Sequence, residues 1–298
     1  MKNSFRNLSI FSAVAVFAVF NLSSTDTLKQ VANLRNLEEA RSLALAQANR
    51  NSEFNQENVM YTFYEPSTAD EKNLLQSWEN AWNAVGWETR VLNLQDSRKH
   101  PDYDKYKQPL DVNTNGVYEK LHYLRWLAMA STQKGGYMCD YDVFPIPTKI
   151  EFLRPTRKGD TLPNNGTLTV YEFTLTGGVP SLVSGSPDEW DRLAHLLIEK
   201  SFDTKINNDE QALMSVKRDD RWSFILGGKV LKGHVALKEK VLTEDYCEMW
   251  FGFAAVHFNN FAIEKGVESG RLPAGSGASS RPAVAAAWME EWNALCAD

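Results

Sequence analysis

The 298-residue chain is short of cysteine, carries no surplus of positive charge and has a single long uncharged apolar run. Each shortage narrows what it can be. Its three cysteines, Cys139, Cys247 and Cys296, show no CxxC and no Cys/His ligand spacing, which argues against a zinc site. An odd number allows at most one disulfide within the chain. Cys139–Cys247 is one pairing to consider, and buried free thiols are the plainer expectation. A net charge of -6 provides no basic patch to draw a phosphate backbone, so nucleic acid is not an expected partner.

The one apolar run, residues 8–22, follows Lys2 and Arg6 in "MKNSFRNLSIFSAVAVFAVFNLSS". Basic residues ahead of an uncharged run are the layout of a signal peptide or a short signal anchor. The run is shorter than the roughly 20 residues of an ordinary membrane span. No small-x-small cleavage site follows it. The expectation is a type II anchor over residues 1–24, with its basic end cytosolic and the rest in the lumen of the Golgi or another secretory membrane. If the segment is cleaved, the protein is secreted.

What is present is an ordinary globular composition, 43% hydrophobic and 23% charged, with nine Trp, ten Tyr and fifteen Phe. Residues 25–57 read as a polar helical stem whose narrow apolar stripe (Leu28, Val31, Leu34, Leu37, Leu45) leaves room for homodimerisation. The catalytic-domain candidate is 58–298. Its opening, "NVMYTFY", "DEKNLLQSWENAWNAVG" and "WETRVLNLQD", reads strand, helix, strand, the start of a parallel α/β sheet. A polar loop follows, then a helix in "GVYEKLHYLRWLAMASTQKGG" and a third strand in "YMCDYDVF". Later come a strand in "GTLTVYEFTLTGG", a helix with Ser186 as N-cap and Pro187 in its first turn, and an apolar strand in "WFGFAAVHFNNFA". A flexible segment near 270–282 precedes a terminal helix at 283–297. It reads as a surface linker, or alternatively as a mobile loop over a site.

Asp140 and Asp142 fall where the third strand ends, the place where open α/β sheets bind ligands. Two carboxylates one residue apart repel each other, and one of them would be forced to hold its proton. A divalent ion removes that penalty, and hard oxygen ligands suit Mn²⁺ or Mg²⁺. Such an ion commonly shares itself with phosphate oxygens, which points to a nucleotide diphosphate. A solvated acidic turn is the plain alternative.

The stretch "YEKLHYLRWLAMASTQKGGYMCDYDVFP" resembles the core motif of DXD-containing glycosyltransferases of the Gly-transf-sug type, glycosyltransferase family 32 and its capsular-polysaccharide relatives. Lys120, Arg125 and Trp126 stand at that motif's Lys, Arg and aromatic positions. Gly135 and Gly136 match its glycines, and Asp140 and Asp142 match its metal-binding pair. The departure is His122, where the family has an Asp that contacts the donor.

The resemblance implies a GT-A, Rossmann-like fold, with a mixed sheet and helices on both faces. It also implies a hexose moved from a nucleotide-diphosphate sugar to a glycan, lipid or protein hydroxyl, with retention of configuration. Lys120 and Arg125 would lie beside the donor with Tyr141, and His257 would complete the metal site. Tyr61 and Thr62 would border the nucleotide, and Asp96 would reach its ribose or base. For His257 a core histidine is an equal alternative. His234 is a poorer candidate for that role, His195 reads as structural, and His100 falls in a polar loop. Asn165 in "NGT" is a glycosylation sequon, in keeping with a lumenal domain.

Of three rivals, the first fails on spacing. A polymerase-β-type nucleotidyltransferase also uses Gly-Gly and Asp-x-Asp, but only Tyr137, Met138 and Cys139 intervene here, which is too short. A secreted glycoside hydrolase would use separated carboxylates and no metal. A catalytically inactive glycan- or nucleotide-sugar-binding member of the fold finds its footing in His122.

Overall fold

The computed structural model describes residues 58–296 apart from 67, 115, 133, 155–160, 176 and 204. The expected anchor and stem lie outside the described residues. Among the described residues no helix is long and apolar enough to cross a membrane.

The strand–helix–strand opening is present as β1 (Val59–Phe63), α1 (Ala69–Ala84) and β2 (Glu88–Leu92). Thr68 caps α1 by accepting the Glu71 N–H, and Asp70 and Glu71 sit in its favourable first turn. The expected polar loop is instead two helices, α2 (Leu94–Ser97) and α3 (Tyr103–Asn113). Their polarity misleads because Tyr103, Tyr106 and Leu110 are buried while the residues between them are not. A longer helix, α4 (Val117–Ala130), leads through Gly135 and Gly136 into β3 (Gly136–Cys139). Gly135 has φ 65°, and a Cβ there would stand 2.5 Å from the Gly185 carbonyl oxygen, so the site accepts only glycine.

After β3 the chain turns into β4 (Val143–Pro145), then β5 (Thr169–Phe173) and β6 (Gly178–Gly185). The last of these was not foreseen. Helices α5 (Pro187–Lys200) and α6 (Asp209–Asp219) follow, with Ser186 and Asn208 as their N-caps. Beyond them are β7 (Ile225–Leu226), β8 (Val230–Lys232), α7 (Gly233–Ala236), α8 (Asp245–Met249), β9 (Ala255–His257), α9 (Asn260–Glu268) and α10 (Arg281–Cys296). The expected late strand is thus only three residues long, because Asn259 caps α9 through the Ala262 N–H.

The main sheet has the order β2-β1-β3-β6-β5-β7. Its first three strands are parallel, β6 runs antiparallel to both β3 and β5, and β7 is parallel to β5. This is the mixed α/β sheet with helices on both faces. Alternation along β1 divides the core: Val59 and Tyr61 face α4 to α6, while Met60 joins Trp78 and Trp82 of α1. A small sheet, β4-β9-β8, carries a third cluster under α7, α9 and α10, with Trp250, Trp288 and Trp292 at its centre. Indole N–H groups tie α1 to the turn after β3: Trp78 donates to Cys139 Sγ (3.1 Å) and Trp82 to the Val143 carbonyl (3.0 Å).

The cysteines correct the Cys139–Cys247 pairing and leave the free-thiol expectation true of Cys139 alone. Cys247 pairs with Cys296, whose Cα lies 5.4 Å away, and Cys139 is a buried free thiol. The 270–282 segment is a defined turn. It contains a short 3-10 helix (Ala278–Ser280) and delivers Arg281 to the buried start of α10.

Candidate functional site

The turn from β3 to β4 is held at both ends by backbone. The Asp140 N–H donates to the Ser181 carbonyl (2.8 Å), the Val143 N–H to the Asp140 carbonyl (3.0 Å), and the Phe258 N–H to the Asp142 carbonyl (2.8 Å). These bonds fix Asp140, Tyr141 and Asp142 beside β6 and β9, at the carboxyl end of a parallel strand. The three lie in the wall of a cavity of about 610 Å³.

Donor atoms of Asp140, Asp142 and His257 all lie within 4.8 Å of one another. His257 Nε2 stands 3.2 Å from Asp142 Oδ1, and its Nδ1 is 2.7 Å from Glu172 Oε2. A carboxylate only accepts, so Nδ1 carries a proton, and Nε2 can offer its lone pair to a cation bound beside the aspartates. This carboxylate–histidine pair is how proteins orient a metal ligand. Two hard carboxylates and one imidazole fit Mn²⁺ or Mg²⁺.

Without a cation, Asp142 Oδ1 needs a proton on Nε2. Burial opposes that charge, but Glu172 and Asp142 outweigh it and raise the His257 pKa well above 6.5. Burial would also push Asp142 up, yet His257 and Arg281, whose Nη1 is 2.9 Å from Oδ2, bring it below the usual carboxylate range. Asp140 goes the other way, pushed up to about 6 by burial and by Asp142, with Arg125 pulling against them. One acid is stabilised as an anion and its neighbour is poised to accept a proton or a cation.

Arg125 lies on α4 and bridges two acids. Its Nη1 bonds Asp140 Oδ1, and its Nε and Nη2 reach Asp209 Oδ2 at 2.8 and 2.7 Å. The Trp126 indole donates to the same oxygen (2.9 Å). Asp209 is 2% exposed, and Arg125 and Trp126 supply the partners that a buried carboxylate requires.

Of the residues singled out in the sequence, Asp140, Asp142, His257, Arg125 and Tyr141 line the cavity together. Tyr141 gives its hydroxyl to Glu71 (3.4 Å). Lys120, Tyr61, Thr62 and Asp96 do not line it. Lys120 pairs with Asp111, and Tyr61 and Thr62 are buried in β1, which has a strand on either side. Asp96 closes the capping box of α2 with Asn93 and pairs with Lys99 (2.6 Å).

His122, at the family's Asp position, faces the cavity with Nδ1 3.8 Å from Asp209 Oδ1, and burial lowers its pKa. His234 packs edge-on to Phe261. His100 lies in the loop before α3 but is buried there, 2.8 Å from Asp191, and His195 meets Asp102 at 3.0 Å. Asn165 is exposed in a left-handed turn.

Sequence reasoning missed Glu172, Asp209 and Arg281. Only Glu172 left a trace, as an acid inside an otherwise apolar strand.

A family model described as a domain of unknown function (DUF8765) matches residues 37–165, which contain Arg125, Asp140 and Asp142. No curated protein matches the chain. Among solved structures it is similar to a glycosyltransferase involved in the glycosylation of the major capsid of PBCV-1, at 10% identity and a TM-score of 0.43. That likeness covers 71% of this chain and 98% of the other.

Proposed function

We propose that this protein is a metal-dependent glycosyltransferase that moves a hexose from a nucleotide-diphosphate sugar to a glycan, lipid or protein hydroxyl. One observation carries the reading: two aspartates and an imidazole converge within 4.8 Å at the wall of a 610 Å³ cavity, beside a buried arginine. Bound there, Mn²⁺ or Mg²⁺ would neutralise negative charge on a departing diphosphate.

The chain's own residues do the rest. Asp142 and His257 offer adjacent donors, and Glu172 holds the imidazole in the ligating tautomer. Arg125 and Arg281 are already bonded to the two aspartates, and from the cavity wall their guanidinium groups would pair with an entering diphosphate. The aromatic rings of Tyr118 and Phe261 line the cavity while remaining well exposed, which suits stacking against a sugar ring. The reading includes the secretory-pathway membrane expected from residues 1–24, and the Cys247–Cys296 bond agrees with an oxidising compartment.

The test is turnover by full-length protein of a nucleotide-sugar panel with Mn²⁺, against Asp142→Asn. Transfer by the wild type and its loss in the variant is the expected result. Equal activity in both removes the metal site.

A second reading has support in the same bonds. Both aspartates already have guanidinium partners, which would suit a member of the fold that binds nucleotide sugar without turning it over. Mn²⁺-dependent donor binding with no product would favour it.

A further inference from the structure

Six acidic side chains line the cavity, and five of them are engaged. Glu65 accepts the Leu94 N–H, and Glu71 accepts the Tyr141 hydroxyl. Asp140 holds Arg125, Asp142 holds His257 and Arg281, and Asp209 holds Arg125 and Trp126. Among the described residues Glu210 alone of the six makes no hydrogen bond or ion pair. It is the second residue of α6 and half-buried, and it lines the cavity with Val179 and Pro180 of β6.

An acid in a first helical turn is ordinarily held low by the helix dipole. Glu210 runs against that expectation. Burial, then Asp209 and Glu172, raise its pKa, while His257 and Arg125 pull it back. A carboxyl left without a partner, facing a ligand cavity and made more basic, has the properties of a general base.

We infer that Glu210 is the catalytic base that deprotonates the acceptor, an inference that rests on the glycosyl-transfer reading. The Glu210 carboxylate takes the proton of the acceptor hydroxyl as that oxygen bonds to the anomeric carbon. The bond from that carbon to the diphosphate oxygen breaks, and its electron pair leaves with the nucleotide diphosphate. One displacement inverts the anomeric centre, opposite to the retention that the sequence resemblance implies.

The experiment compares full-length wild type with Glu210→Gln, using Mn²⁺, UDP- and GDP-hexoses, hydroxyl acceptors (water and oligosaccharides) and azide. Azide is already an anion and needs no base. The expected result is a fall of about 10²–10⁴-fold in transfer to hydroxyl acceptors, with transfer to azide and Mn²⁺-dependent UDP binding unchanged. Inverted product in the wild type, read from anomeric proton couplings, completes the support. Full transfer to hydroxyls by Glu210→Gln, an equal loss toward azide, or a retained product overturns the base while leaving glycosyl transfer standing. Absence of transfer by the wild type from any donor defeats the glycosyl-transfer reading, and the base with it.

Discussion

His257 and His100 are each 5% exposed, each bonded to a carboxylate, and each part of a group whose donor atoms lie within 4.8 Å of one another. They differ in whether Nδ1 donates or accepts. Glu172 accepts from His257 Nδ1 (2.7 Å), so Nε2 can give up its proton and turn its lone pair to a bound cation. At His100 the Asp102 backbone N–H donates to Nδ1 (3.2 Å). That nitrogen therefore has no proton, and Nε2 must carry one, which it gives to Asp191 (2.8 Å). Proximity is alike in the two clusters, though one has two carboxylates and one imidazole and the other one carboxylate and two imidazoles. The bond behind each ring decides whether it can ligate an ion or only brace the fold, and in the second cluster it braces α5 against the loop before α3.

The sharpest way to break this comparison is to remove ligands from each cluster in turn. Asp142→Asn should weaken Mn²⁺ binding on the order of 100-fold or more, whereas His100→Asn with His195→Asn should leave it unchanged. Titration calorimetry reads both, and equal loss in the two proteins would show that the second cluster also holds the ion.

Glu172→Gln tests the ring's support. It should cost about 10–100-fold in cation affinity, because an amide can also offer a proton to Nδ1 and no longer fixes the tautomer. Unchanged affinity would remove Glu172 from the account.

The pH dependence is smaller and has opposite signs for folding and for binding. The folded pKa of His257 is raised, so its contribution to metal-free stability is complete below about 6.5 and is lost as pH rises through the folded value. A cation needs the unprotonated ring, so its affinity should climb by about tenfold per pH unit below that value and then level off. Thermal unfolding with chelator, and Mn²⁺ titrations at several pH values, check the two halves. The smallest effect belongs to the bracing cluster: His100→Asn should cost about 0.5–1.5 kcal/mol in denaturant unfolding and leave turnover intact.

The sequence made part of this site legible. The Gly135-Gly136 turn, the short β3 and the Asp140–Asp142 turn are local features, and local rules suffice for them. Arg125 follows from its place on a buried helix, which forces a charge to seek an acid. Its principal acid, Asp209, could not be read, because the pair is separated by 84 residues and forms only when α6 packs near α4. Glu172 lies 85 residues before His257, and Arg281 lies 139 beyond Asp142. Lys120 misleads for a simpler reason. It stands in the first turn of α4, close to the end of the preceding helix, and Asp111 of that helix takes its charge. Asp96 did carry a readable signal, since Asn-x-x-Asp is a capping pattern. The fold class was legible from the opening βαβ, whereas β6 was not. Its "GVPSLVSG" mixes small and polar residues because it is paired on both sides in the sheet interior.

The helix α10 begins with a guanidinium seated on Asp142 and ends at a cysteine joined to residue 247. Chemical state at its far end and charge at its near end thus share one rigid rod. Protein made in a reducing cytosol, or nicked within that rod, would report the damage first as a disturbed acid pair, well before the sheet itself came apart.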